Sequence, residues 1–259
     1  MRWIYLSPHL DDAVLSAGGL IYEQSQSGIP VEIWTFMCGF PPAGENSPFA
    51  QSLHSKWGFS SAEETVRARR EEDNHAAALV GAKTVHFDFL DCIYRRGENG
   101  EWLYSEVFAP PHEADAGYPA RIAAEISSRL LPDDPARFNS PSQRSERDDV
   151  LVCQLALGSH VDHVLFRQAA ELLGRTLCYD VDIPYWFYKP HELELKSAGM
   201  KESVHLVTEA GLERWIEAVL AYKSQLPVLG DQFDTPEKAA QAIRNYWLER
   251  KGIRLLQLT

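Results

Sequence analysis

A chain of 259 residues with 45% hydrophobic and 24% charged residues is long enough to bury roughly three quarters of its unfolded surface, which excludes whole-chain disorder and any need for disulfides or metals to hold a core. The net charge of −12 repels a phosphate backbone, so nucleic acid is not the expected partner and a neutral or cationic small molecule is favoured. Cys38, Cys92, Cys153 and Cys178 stand far apart with no C-x-x-C pair and read as reduced core thiols; no long apolar run and no signal-peptide core are present, so the expected location is the cytoplasm, with no membrane span.

In chain order, residues 3–6 read as a short strand that passes through Ser7-Pro8 into a helical pattern carrying Ala13, Val14, Leu15, Ala17, Leu20 and Ile21. Residues 31–37 read as a buried strand, 61–79 as a helix ending before Gly81, 84–90 as a strand, 119–131 as a helix opened by proline, and 150–157 as another apolar strand. Phe166, Ala169, Ala170 and Leu173 share one helical face, and 177–183 reads as a fifth strand. Beyond Pro184 follow a strand at 204–207, helices at 209–222 and 235–248, and an apolar run to Leu258.

Strands alternating with helices predict an α/β, Rossmann-like fold: a mostly parallel sheet with helices on both faces. No repeat or linker divides the chain, so a single domain over 1–259 is expected, with a core over about 1–185 and a C-terminal α+β elaboration over about 186–259. Three stretches, 39–60, 91–118 and 132–147, read as long loops of the kind that form lids or substrate walls.

Two turns carry chemistry. His9-Leu10-Asp11-Asp12 falls where the first strand meets the first helix, the edge at which open α/β sheets bind ligands. One imidazole and two carboxylates suit zinc or a similar divalent ion and leave a spare base, although the same aspartates would serve as helix caps. His160-Val161-Asp162-His163 follows the apolar strand 150–157 in the same strand-to-helix setting, with the two histidines three apart and so on one side of a turn. The two turns converge if their strands are neighbours.

This pair of motifs resembles the LmbE-like or PIG-L family of zinc-dependent de-N-acetylases, whose signature is His-Pro-Asp-Asp-Glu after the first strand and His-x-Asp-His near mid-chain. Here Leu10 and Ala13 stand in place of that proline and glutamate. The run Arg69-Arg70-Glu71-Glu72-Asp73 with Ala76 and Leu79-Val80-Gly81 is similar to the family's second helix, and Tyr222-Lys223-Ser224-Gln225 is a weaker echo. The resemblance implies that His9, Asp12 and His163 bind one Zn2+ and that Asp11 is the general base. It also implies that His160 stabilises the oxyanion or protonates the leaving amine, with Asp162 orienting it. The implied substrate is a small-molecule amino-sugar conjugate that loses an N-acetyl group. A larger thiol or glycoconjugate amide, and a non-catalytic sugar-binding relative, stand as alternatives.

Asp91, Arg95 and Arg70 are weaker candidates for substrate contact; Arg67, Arg69 and Arg70 read first as partners of nearby acids on an exposed helix face. Trp186, Trp215 and Trp247 read as core or interface residues, and a homo-oligomer is left open. A phosphorelay receiver also places an acidic pair after its first strand, but such a domain is about half this length. Its magnesium prefers oxygen ligands, and a His-x-Asp-His turn has no task there.

Overall fold

The computed structural model describes residues 1–130 and 149–258; the loop expected at 132–147 lies outside the described residues. Strand β1 (Arg2–Ser7) is buried from its third residue onward, and helix α1 (Asp12–Gln26) is buried without a break from Asp12 to Ile21. A helix covered all round belongs between layers and not on a surface. There follow β2 (Val31–Thr35), α2 (Pro48–Trp57), α3 (Ala62–Leu79), β3 (Lys83–His86), α4 (Tyr118–Leu130), β4 (Asp149–Gln154), α5 (Val161–Glu171) and β5 (Leu177–Asp180). The chain then forms α6 (Tyr185–Tyr188), α7 (His191–Lys196), β6 (Met200–Leu206), α8 (Glu209–Val219), α9 (Pro236–Arg250) and β7 (Gly252–Leu258).

The strands form one sheet in the order β3-β2-β1-β4-β5-β7-β6. Strands β1 to β5 pair in parallel, whereas β7 lies antiparallel to both β5 and β6. The mostly parallel α/β fold expected from the alternation is therefore present, and the C-terminal strands extend its sheet. Helices α4 and α5 pack together, while α1, α3 and α9 pack on α8, giving two helical layers. Connections that run from β1 toward β3 and from β4 toward β5 leave the sheet in opposite directions, and they make the boundary between β1 and β4 its switch point.

Two expectations are corrected. The stretch 39–60 is not all loop: Ser47 accepts the Ala50 N–H at 2.9 Å, Pro48 opens the helix, and Gly58 closes it at φ 84°. That Ser-Pro start and glycine stop are ordinary helix punctuation, overlooked because the apolar pattern between them is thin. The fifth strand ends at Asp180 rather than 183, since Asp182 turns the chain at φ 46°. Among the described residues no helix is long and apolar enough to cross a membrane.

One apolar cluster runs from Ile4 through Trp34 and Phe166 to Trp215 and Leu256, so residues beyond 185 share the core of the residues before them. Trp215 is central to that union: its Nε1 donates to the Val14 carbonyl at 2.8 Å, and its ring lies against Gly18, where an added Cβ would meet Trp215 Cδ1 at 2.5 Å. Alanine in place of a helical glycine ordinarily adds about 1 kcal/mol of stability. Gly18→Ala is expected to lower it, because overpacking a filled core costs about 1–3 kcal/mol. Urea denaturation measures the sign, and a more stable variant would mean that Trp215 is free to move away.

Candidate active site

The parallel pairing of β1 with β4 sets Leu6 level with Cys153, so the turns that follow these strands meet over the switch point. In the first turn, Asp11 occupies the N-cap position of α1 but its side chain makes no capping bond. Capping therefore does not account for this carboxylate. Asp12 bends back to accept the His9 N–H at 2.8 Å through Oδ2. In the second turn, His160 caps α5: its Nδ1 accepts the Asp162 N–H at 3.2 Å.

Three donor atoms converge. His9 Nδ1 lies 3.3 Å from His163 Nε2, and Asp12 Oδ2 lies 3.4 Å from each of them. Ligands about 2.0–2.1 Å from a tetrahedral ion are separated by about 3.3–3.4 Å, so the triangle has the dimensions of one face of a zinc-type coordination shell. The donor set therefore fits a divalent cation. Wider groupings, His9 with His160 and His163 or Cys92 with His160 and Asp162, also fall within 4.8 Å. Only the tighter triangle has edges that match a coordination geometry.

Two further carboxylates face the far nitrogens of these histidines. His9 Nε2 faces Asp162 Oδ2 at 3.1 Å, and His163 Nδ1 faces Asp182 Oδ1 at 3.3 Å. Each histidine thus has a buried carboxylate at its far nitrogen, the usual outer-shell arrangement of metal-binding imidazoles, in which the far N–H is donated and the near nitrogen is left for the ion. Asp162 and Asp182 are fully buried. Asp162 holds His9 through its carboxylate and His160 through its N–H.

Charge in the site is finely divided. Burial and the Asp12 charge push the Asp11 carboxyl up to about 7, against the opposing pull of Arg69 and His9. Burial also acts to raise Asp12, but His163 and His9 outweigh it and hold Asp12 low. For Asp162, Arg95 and His9 outweigh burial in the same way. Burial, with His9 and His163 nearby, pushes the His160 imidazole well below its ordinary range. Two adjacent aspartates are thereby driven apart in proton affinity.

The triangle lies at the floor of a cavity of about 490 Å³. Asp11, Asp91, Arg69 and His160 line it at the centre, α2 contributes Leu53 and Trp57, the loop 91–118 contributes Val107 and Phe108, and the C-terminal part contributes Tyr185, Gln225 and Leu229. Asp91 is where a wall residue was expected. Arg95 is not: it is 4% exposed and lies beneath the site, 2.5 Å from Asp162 and 2.9 Å from Asp115. Arg70 also does not line this cavity, since it bonds the Cys38 and Phe87 carbonyls and pairs with Asp88.

Arg69 reverses the exposed-face reading. It is buried, faces the cavity, stands 3.8 Å from Asp11 and stacks 4.9 Å above the Trp57 ring, with its Nε unpaired. Four positions on, Asp73 accepts from Tyr222 Oη at 2.9 Å and pairs with His86 at 2.7 Å. Glu72 holds Ser224 through its N–H and hydroxyl, which brings the neighbouring Gln225 to the cavity wall. Asp182 and Arg69 were both missed. The available signals were an Asp-x-Asp pair at a strand end and a charged residue on the helix's apolar stripe.

Fold and centre together define an α/β protein with a histidine–carboxylate centre at the switch point of its sheet. The chain belongs to the PIG-L family, whose model, described as GlcNAc-PI de-N-acetylase, matches residues 4–173. It is similar in structure to the zinc-inhibited form of teicoplanin deacetylase Orf2, with 26% identity, a TM-score of 0.79, and 99% of this chain and 97% of that chain covered. The deacetylase Dbv21 of the antimicrobial A40926 pseudoaglycone is 27% identical with a TM-score of 0.71, covering 99% of this chain and 96% of that one. The N,N'-diacetylchitobiose deacetylase of Pyrococcus horikoshii, at 15% identity and a TM-score of 0.55 over 98% and 83% of the two chains, shares the fold. No curated protein matches the sequence.

Asp182→Asn tests the outer shell. Asparagine tolerates the left-handed conformation at this position but presents no negative charge to His163. Affinity for a divalent ion, measured by competition with a chelating dye, is expected to fall about 10- to 100-fold. Unchanged affinity would reduce the contact to packing.

Proposed function

We propose that the protein is a zinc-dependent hydrolase that removes the N-acetyl group of an amino sugar joined to an apolar aglycone. The observation that carries this reading is the 3.3–3.4 Å triangle of His9, Asp12 and His163 with the uncapping carboxylate of Asp11 beside it. His9, Asp12 and His163 would hold the ion with three protein ligands, the number found at hydrolytic rather than structural zinc, and all three line the cavity. Zinc held there supplies an electrophile for the amide carbonyl and acidifies water.

The chain's own residues supply the rest. Asp11 takes the proton of the attacking water. His160 accepts a backbone N–H at Nδ1, so its proton resides on Nε2. That nitrogen donates a hydrogen bond to the carbonyl oxygen as charge develops, and the proton that Asp11 has taken from water passes to the departing amine. Asp91 and Arg69, which both line the cavity, offer a carboxylate and a guanidinium for sugar hydroxyls.

The cavity argues for more than an acetylated monosaccharide. Its outer wall is Leu53, Trp57, Phe108, Tyr188, Val228 and Leu229, and Phe108 is 52% exposed at the rim. An apolar group attached to the sugar would cover that surface. The printed names of the relatives, a teicoplanin deacetylase and a deacetylase of the A40926 pseudoaglycone, support a bulky aglycone.

The test is a screen of N-acetylglucosamine conjugates with alkyl, aryl and glycopeptide aglycones, scored by release of free amine. Chelation is expected to abolish turnover, and one equivalent of zinc or cobalt to restore it. Excess zinc is expected to suppress it, as the zinc-inhibited state of the teicoplanin deacetylase suggests. Full activity in the metal-free protein would overturn the metal reading. Failure to release amine from any conjugate, with zinc bound, would favour the sugar-binding alternative.

The adjacent aspartates separate ligand from base. Asp11→Asn is expected to retain zinc and lose about 10²- to 10⁴-fold in rate, the usual worth of a general base. Asp12→Asn is expected to lose zinc first and to recover part of its activity with added metal. Zinc content and rate, measured together, would show a swap of roles as the reverse pattern.

A further inference from the structure

Arg95 has no contact with the cavity, yet it is among the most enclosed charges of the protein. Its guanidinium stacks between Tyr104 and Tyr118, 5.1 and 4.6 Å from their ring centres, and Nη1 donates to the Leu90 carbonyl at 3.2 Å. Its two charged contacts run in opposite directions. Nη2 meets Asp162 Oδ1 at 2.5 Å, and Nε meets Asp115 Oδ2 at 2.9 Å.

Each carboxylate is engaged on its other side. Asp162 Oδ2 faces His9 Nε2 at 3.1 Å and accepts the Cys92 N–H at 2.9 Å. Asp115 accepts from Tyr104 Oη at 2.6 Å, and that hydroxyl in turn accepts the His112 N–H at 2.9 Å. A chain of buried charges, Asp115 to Arg95 to Asp162 to His9, thus joins the far end of the loop 91–118 to one corner of the donor triangle. The same loop supplies Val107 and Phe108 to the cavity wall, and the Val107 carbonyl accepts the Val161 N–H at the start of α5.

We propose that Arg95 is a positioning residue for the metal site: it fixes the rotation of the Asp162 carboxylate so that Oδ2 meets His9 Nε2 and His9 Nδ1 faces the triangle. Without it, Asp162 has one oxygen free and only the Cys92 N–H to restrain its carboxylate, so the contact that orients the His9 ring is loosened. Because Arg95 is itself anchored to Asp115, the substrate-wall loop and the metal ligand are set by one interaction. Arginine suits this task, since its guanidinium reaches both carboxylates at once and a lysine ammonium reaches only one.

The inference rests on the metal-site reading above, and the test separates the two. Zinc affinity of the full-length protein is measured by competition with a chelating dye, with far-UV circular dichroism and thermal midpoint recorded for each variant. Arg95→Met is expected to weaken zinc binding about 10- to 100-fold, the usual worth of an outer-shell partner, and Arg95→Lys to recover part of that loss. Asp115→Asn, which leaves the Asp162 contact in place, is expected to show a smaller loss. Arg2→Met serves as the control: Arg2 also bridges two acids, Asp149 at 2.8 Å and Glu32 at 2.9 Å, but at the opposite end of β1. It is expected to lower the thermal midpoint and leave zinc affinity unchanged.

If the parent protein binds no zinc, both readings fall. If it binds zinc and a folded Arg95→Met binds it as tightly, the positioning role alone is overturned. Removing one member of a buried ion pair costs about 3–5 kcal/mol, so Arg95→Met is the variant at risk of misfolding. Should it misfold, parental affinity in both Arg95→Lys and Asp115→Asn overturns the proposal, and a loss in Arg95→Lys sustains it.

Discussion

The hydrogen bonding of β1 to β4, with Leu6 level with Cys153, carries two turns 154 residues apart in sequence to the same edge of one sheet. The remainder of the site follows from this pairing. Once the turns meet, two imidazole nitrogens and a carboxylate oxygen lie 3.3–3.4 Å apart, an arrangement that needs positive charge among them, whether protons or an ion. The fold does not relieve this by moving the donors apart. It holds them there with buried carboxylates on the outer side of each histidine, Asp162 for His9 and Asp182 for His163. A pocket built to keep donors together in this way is pre-organised for a cation, and the cation gains what the protein alone cannot.

The fold and the inner site were legible for one reason: both are written in local patterns. Alternating apolar runs gave the five parallel strands, and His9, Asp11, Asp12, His160 and His163 stand in two short turns whose residue types match one chemistry. What joined them, the adjacency of β1 and β4, is a long-range pairing that periodicity does not encode. Arg69 and Asp73 were hidden differently. They fall on the stripe of α3 that also carries Ala62, Val66 and Ala76, all buried, so a charged residue stood at positions where burial was the rule. The i to i+4 pairs sought around Arg67 do exist, with Arg67 to Glu63 at 2.6 Å, but they describe only the opposite face. Arg95 was misjudged because a basic residue in a loop near the site suggests a substrate contact; its burial comes from Tyr104, Asp115 and Tyr118, which lie 9 to 23 positions later in the chain.

Substrate selection was the least legible part, and its placement explains this. The cavity wall is assembled from α2, the loop 91–118 and the segments around residues 185–189 and 225–231. No two of these are neighbours in sequence. They are brought together by contacts such as Glu72 to Ser224 and Tyr222 to Asp73, each between α3 and the C-terminal part. The helix that supplies Arg69 to the centre therefore also positions the Gln225 wall, so the chemistry and the selectivity of the site share a support.

The two departures from the family motif show how the turn survives change. Leu10 in place of proline removes a fixed φ from the most constrained stretch of the site, and the structure shows other restraints there. Ser7 Oγ donates to the His9 carbonyl at 2.7 Å and accepts the Ala13 N–H at 3.3 Å, while Asp12 Oδ2 accepts the His9 N–H. A hydroxyl and a carboxylate thus brace the turn from both sides with hydrogen bonds, and Leu10 is left to pack, 3% exposed. Ala13 is buried in the main apolar core, so a carboxylate at that position would face hydrocarbon and carry a desolvation cost. The carboxylates this centre does use are Asp11, Asp12, Asp91, Asp162 and Asp182, each contacting or closely facing a charged or titratable partner of the site. The absence of a carboxylate at position 13 removes no contact that holds the triangle.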